Sequence, residues 1–273
     1  MFRKIENKLV AWKESTKKKA LLITGARQIG KTYIIREFAK KYYEHFIEIN
    51  FITQPSANAI FDGDLDAKTV MMNLSAFLRD ELVPYKTLIF FDEIQEVKDF
   101  ITKIKFLVDD GTYKYVLSGS LLGVELNGLK SAPVGYMQIL DMYPLDFHEF
   151  VDALGVQENI IAILEKCFIE RKTVDEFIHK KMLDIFNLYL IVGGMPQAVS
   201  IYLETNDLNR VSQVQQDITR LYRFDFSKYE EKYKLKLKEI YDALPGQLDE
   251  KNKRFQLNKV GKGISFKKVE NDF

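Results

Sequence analysis

A single cysteine in 273 residues, Cys167, excludes an internal disulfide and leaves that side chain an ordinary packing position on a helix. Histidine is nearly as scarce. His45, His148 and His179 have no metal-ligand spacing, and no nucleophile–His–acid pattern appears. Neither sign of charge dominates: the formal net charge is +1, so there is no bulk electrostatic case for nucleic acid or acidic partners, and any basic surface has to be local. No apolar run reaches the length that spans a bilayer. The first residues, Met1 to Lys19, place Phe2, Ile5, Leu9 and Trp12 at helical spacing among charges and lack the continuous core of a signal peptide. The absences together predict a cytoplasmic protein without membrane contact. No repeat or low-complexity segment stands out.

What is present is a core. Hydrophobic residues make up 47% and aromatic residues 13% of the chain, enough to bury the interior of one large domain or two moderate ones. Ala20–Thr24 reads as a short buried strand, and Tyr33–Tyr43 as a helix with Ile34, Ile35, Phe38 and Tyr42 on one face. His45–Phe51 alternates like a strand and breaks at Gln54-Pro55-Ser56. Asp66–Leu82 has Val70, Leu74, Phe77, Leu78 and Leu82 at helical spacing. Thr87–Asp92 is apolar almost throughout, as a strand buried on both faces should be. A helix over Asp99–Val108 and strands over Tyr113–Ser118 and Gly135–Met142 follow. Strands alternating with helices predict an α/β fold, a parallel sheet with helices on both faces and ligand at the carboxyl ends of the strands. From Asp146 onward only helical periodicity is left, over Phe147–Val151, Ile160–Ile169, Thr173–Leu190 and Gln197–Glu204. Gly193-Gly194-Met195-Pro196 breaks that series between two helices.

One stretch carries chemistry. Gly25-Ala26-Arg27-Gln28-Ile29-Gly30-Lys31-Thr32 fits G-x-x-x-x-G-K-[ST], the Walker A pattern of P-loop NTPases, and it stands between a strand and a helix as that loop requires. The four fixed positions recur by chance in roughly 1% of chains this long, and the flanking elements lower that further. Gly25 and Gly30 allow the tight turn that points successive N–H groups inward, and the helix beginning at Lys31 adds the positive end of its dipole. Backbone from Gly25 through Ala26, Arg27, Gln28, Ile29 and Gly30 to Tyr33 would cradle phosphates. Lys31 would reach the β- and γ-phosphates, and the Thr32 hydroxyl would ligate Mg²⁺.

A second motif completes the first. Leu88-Ile89-Phe90-Phe91-Asp92-Glu93 is an apolar strand ending in two acids, the Walker B pattern. Asp92 would help Thr32 hold Mg²⁺, and Glu93 would orient or deprotonate the attacking water. Ser118, ending the fourth strand, is the candidate hydroxyl for the γ-phosphate, with Ser120 competing.

These residues, with Phe91-Asp92-Glu93-Ile94-Gln95, Ser118-Gly119-Ser120, Tyr143-Pro144-Leu145-Asp146-Phe147 and Gly193-Gly194-Met195-Pro196, resemble a large group of predicted prokaryotic AAA+ ATPases. The resemblance covers nearly the whole chain. It implies an AAA+-like P-loop core over 1–145, an all-helical lid over 146–232 and a partial winged-helix segment over 233–273, truncated before the wing and the nuclease-like domain that usually follow. A natural truncation and a fragment both fit that ending. The resemblance also implies ATP as nucleotide, ATP hydrolase activity and Mg²⁺ as the ion. DNA, a protein partner and assembly of several copies are all left open by it.

One departure matters. Members usually have Arg or Lys after the glycine of the fifth strand, where this chain has Gly135-Tyr136. Arg220 and Arg223 are the candidates to replace that cation. The alternative reading is an ATP-gated binding switch with negligible hydrolysis; phosphotransfer to a small molecule is disfavoured by Glu93. Lys17-Lys18-Lys19 fits a solvated helix end, and Lys232, Lys234, Lys236 and Lys238 a solvated helix side, better than DNA contacts.

Overall fold

The computed structural model describes residues 1–62, 66–78, 82–97, 100–119, 135–225, 231–251 and 256, in two compact units, Met1–Glu204 and Thr205–Phe273. The first unit contains five parallel strands, β1 (Ala20–Thr24), β2 (His45–Asn50), β3 (Thr87–Asp92), β4 (Lys114–Ser118) and β5 (Met137–Asp141), in the spatial order β2-β3-β4-β1-β5. The order puts β4 between the loop strand β1 and the acidic strand β3. Helices α1 (Ile5–Glu14), α2 (Lys31–Tyr42), α3 (Ala67–Phe77) and α4 (Phe100–Asp110) complete the α/β part.

The central strands are buried at every position because they feed two cores. Side chains of a strand alternate between faces. Leu21 and Ile23 of β1 and Leu88 and Phe90 of β3 therefore pack with Ile34, Ile35 and Phe38 of α2 and with Leu9 and Trp12 of α1. Their neighbours Leu22, Ile89 and Phe91 pack on the other face against Val70 and Leu74 of α3 and Phe100, Ile104 and Leu107 of α4. Phe51, Phe61, Phe91 and Phe100 meet there edge-to-face or stacked, with centroids 4.9–6.0 Å apart. The helix expected over Asp66–Leu82 ends sooner, at Phe77, with Leu78 already extended. Leu78 and Leu82 still pack against the same core from outside the helix, so their apolar character recorded burial and not helical geometry.

A helical series follows in the same unit: α5 (Phe147–Ala153), α6 (Glu158–Glu170), α7 (Glu176–Val192) and α8 (Pro196–Thr205). Among the described residues after Asp141 there is no strand. Cys167 lies on the partly buried face of α6, a helix on which no residue is fully buried. The second unit holds α9 (Leu208–Asp225) and α10 (Glu231–Asp249). Arg223 and Asp242 join them at 2.6 Å, and Pro245 lies within α10.

Lysines finish the amino-terminal side of the sheet. Lys114 Nζ donates to the carbonyls of Trp12, Lys13 and Ser15, satisfying the end of α1. Lys18 Nζ does the same for Asp109 and Asp110 at the end of α4. Of the triplet 17–19, Lys18 is thus a cap for a different helix from the one that precedes it.

Candidate functional site

The glycine loop leaves β1 at Thr24, whose hydroxyl donates to Asp141 on the neighbouring strand at 2.5 Å. Gly25 follows with φ +141°, and a Cβ there would lie 2.2 Å from the Met142 carbonyl oxygen, so only glycine fits. Gly30 has φ +91° and opens α2 without a side-chain cap, which leaves the amides of the helix start to the loop's concave side. Ile29 is fully buried and anchors the loop between these two turns. Lys31 Nζ bends back into the loop and donates to the carbonyls of Gly25 (2.8 Å) and Ala26 (2.7 Å). Burial pushes the Lys31 ammonium below its ordinary pKa, against the opposing pull of Glu93 and Asp92. Asp92 and its neighbour Glu93 lie at the same end of the sheet as Lys31, since Thr32 donates to Asp92 at 3.0 Å.

Asp92 is the point on which the other elements converge. It is 4% exposed and accepts four hydrogen bonds. Thr32 Oγ1 from α2 and Asn50 Nδ2 from β2 donate to Oδ2 at 3.0 and 3.1 Å. The Ser118 hydroxyl from β4 and the Glu93 backbone N–H (3.1 Å) donate to Oδ1. Strand register explains the assembly: Asn50 stands directly beside Asp92 in the β2–β3 pairing, and β4 separates β3 from β1. The Asn50 side chain has one orientation open to it, because its oxygen accepts the N–H groups of Ile52 and Thr53, both at 3.0 Å. Glu93 follows in a left-handed conformation, φ +59°, and its carboxylate accepts the Gln95 side-chain amide.

The structure thus brings Thr32, Asp92, Glu93 and Lys31 to one place. It holds Ser118 there too, but fully buried and turned onto Asp92. Ser120 lies outside the described residues. Asn50 and Gln95 were missed in the sequence; the only signals they give are a polar strand end and proximity to the acidic pair. Among the described residues no group of three or more His, Cys, Asp or Glu gathers into a metal cage. The Thr32 hydroxyl and the Asp92 carboxylate instead offer hard oxygens at one point. That donor set fits an ion that completes its octahedron with phosphate and water, as Mg²⁺ does.

Two further motifs close around the loop. The turn at Gly193-Gly194 packs on the segment after β5 so tightly that a Cβ on Gly194 would sit 2.1 Å from the Leu145 carbonyl oxygen. Leu145 N–H donates to the Gly194 carbonyl at 2.7 Å, and the Tyr189 hydroxyl to the Leu145 carbonyl at 2.8 Å. This contact brings α8 beside the loop. Between them lies a cavity of about 520 Å³, lined by Arg3, Gln28, Gly30, Tyr33, Met142 and Pro196 among others. Tyr136 packs on the α3–α4 core, 5.1 Å beneath the Lys105 ammonium. Arg220 and Arg223 both lie in the second unit and face Asp217 (3.5 Å) and Asp242 (2.6 Å). No helix among the described residues is long and apolar enough to cross a membrane.

Comparison with known proteins agrees with this architecture. A family described as an AAA domain matches residues 17–151, and a domain of unknown function (DUF8612) matches residues 183–273. A sequence comparison with curated proteins gives no significant match. Among solved structures, the Walker-type ATPase PABY2304 of Pyrococcus abyssi superposes with a TM-score of 0.52 at 12% identity, over 99% of this chain and 89% of that one. More distant matches are the ORC1 protein of Aeropyrum pernix in complex with DNA (TM-score 0.40, 16% identity, 95% and 81%) and PCH-2 of C. elegans (0.42, 11%, 75% and 63%). With residues 17–151 matching an AAA domain, and a parallel sheet that carries the glycine loop and the acidic strand at one end, the chain has the α/β fold of a P-loop NTPase.

Proposed function

We propose that the chain binds ATP together with Mg²⁺ at the carboxyl end of its sheet and hydrolyses it. The observation that carries this is the convergence of the Thr32 hydroxyl on Asp92, 3.0 Å apart, with the Lys31 ammonium held in the same loop. The amides of Gly25 to Tyr33 bind the phosphates, and Lys31 exchanges its carbonyl partners for β- and γ-phosphate oxygens, which are stronger acceptors. Thr32 and Asp92 would hold the ion, with Asn50 and Ser118 fixing the carboxylate. When bound, Mg²⁺ would supply charge neutralisation to the phosphates. Glu93 accepts the proton of the attacking water, while the buried Ser118 acts through Asp92 and not on the γ-phosphate directly. The cavity between the loop and α8 has the size and the mostly apolar lining of a base pocket, which supports a nucleoside triphosphate over a bare polyphosphate.

Glu93→Gln tests the base. Steady-state hydrolysis should fall by about a hundredfold or more while nucleotide remains bound. Hydrolysis at the wild-type rate would remove Glu93 from that role.

A second reading, an ATP-gated switch with little turnover, is favoured by the Gln95 amide on the Glu93 carboxylate and by Tyr136, where the resemblance implies a cation. Turnover well above background without any partner would exclude it. The rate measured against protein concentration, with and without DNA, separates an isolated site from one shared between copies or stimulated by DNA.

A further inference from the structure

Arg3 stands outside both sequence motifs, yet it is one of the few buried cations of the first unit, 6% exposed. Its guanidinium joins three segments. Nη1 donates to the Ile29 carbonyl of the glycine loop at 3.0 Å, and Nη2 to the Tyr143 carbonyl after β5 at 2.6 Å. Nε lies 3.3 Å from Glu149 Oε2, in a charge contact without hydrogen-bonding alignment. Glu149 is itself fixed. It accepts the Lys4 N–H at 2.7 Å and the Asp146 N–H at 3.1 Å, the latter as part of the capping box of α5.

The contact with Ile29 bears directly on phosphate binding. In a trans peptide unit the C=O of one residue and the N–H of the next point in opposite directions. A charged donor that pins the Ile29 carbonyl outward therefore aims the Gly30 N–H inward, into the anion nest. Gly30 has no side chain to resist a flip of that unit, so an outside constraint is needed to keep it one way round. The Ile29 side chain is fully buried, and loss of the guanidinium would leave its carbonyl short of a strong donor.

We infer that Arg3, held by Glu149, is a positioning residue that presets the glycine loop for phosphate and ties its conformation to α5. The inference rests on the nucleotide site proposed above and adds a residue that the two motifs do not contain.

The test is titration of mant-ADP with Mg²⁺ into the full chain, with thermal midpoints recorded alongside. Wild-type protein should bind. Arg3→Ala should bind about tenfold more weakly, the effect of one charge-assisted hydrogen bond, in protein that is still folded at the measuring temperature. Arg3→Lys, which cannot reach all three partners, should recover only part of the loss. Glu149→Gln should weaken binding in wild-type protein and add nothing once Arg3 is alanine, a coupling that a purely stabilising role would not give. Arg3→Ala with wild-type affinity overturns the inference. If Arg3→Ala does not fold, wild-type affinity in both Arg3→Lys and Glu149→Gln overturns it instead. Absence of binding by wild-type protein would refute the nucleotide site itself, and this role with it.

Discussion

The two banks of the candidate site are built on opposite plans. The loop bank, Gly25 to Thr32, is contiguous in sequence and works through its backbone. Its shape is imposed by glycine φ values, by the close pass of Met142 over Gly25 and by one lysine folded back on its own carbonyls. The acid bank is a set of side chains from α2, β2, β3 and β4, brought together on Asp92 by strand register. Steric necessity holds the first and hydrogen-bond redundancy holds the second. One backbone change should therefore break the loop bank outright. Losing one of four donors should only loosen the acid bank.

The largest effect is expected for Gly25→Ala. A methyl group would meet a backbone oxygen at 2.2 Å in a region of φ that alanine avoids, so the loop and the segment after β5 have to move apart. Loss of nucleotide binding beyond detection and a stability loss of about 3 kcal/mol or more should follow, measured by mant-ADP titration and urea denaturation. Binding within about twofold of wild type would show that the loop bank is softer than its geometry implies.

The middle effect sharpens the contrast. Ser118→Ala and Asn50→Ala each remove one donor from Asp92 and leave the loop untouched. Each should raise the Mg²⁺ concentration needed for half-maximal hydrolysis by about tenfold, the usual result of losing a partner of a metal-binding carboxylate. Nucleotide binding in EDTA should not change. An equal loss with and without Mg²⁺ would mean that the banks are not separable.

The same contrast explains what the sequence disclosed. The loop was legible because its constraints are local: glycines at fixed spacing, with a strand before and a helix after. β1 and β3 were legible because a strand buried on both faces reads as an unbroken apolar run. The partners of Asp92 were not. Asn50 reaches it only because β2 lies alongside β3 in register, and Ser118 only because β4 lies on the other side of β3. Arg3 acts on Ile29 across a gap that no local pattern bridges. On α6, the apolar periodicity around Cys167 marks a face that the structure covers only in part, with no residue fully buried. Periodicity reports which face is apolar and cannot report whether anything covers it.

The smallest effect turns on Lys31, whose buried charge is set in the loop bank at a cost to the fold. Its pKa in the folded chain is lowered, chiefly by burial, while the unfolded chain titrates near the ordinary 10.5. Between those two values the unfolded state binds more protons, so this residue's contribution to stability rises with pH across that alkaline window. Below both values the two states are protonated alike, and the desolvation cost is fully present. Lys31→Met removes the charge and keeps most of the apolar stem. The nucleotide-free protein should then melt about 2 °C higher at neutral pH, a shift that under 1 kcal/mol produces in a chain of this size. The advantage should shrink as the pH approaches the unfolded value. A lower midpoint for the methionine variant would instead mean that the hydrogen bonds to Gly25 and Ala26 outweigh the cost of burying the ammonium. The lysine would then be holding the loop closed, and phosphate would have to displace a contact that stabilises the fold.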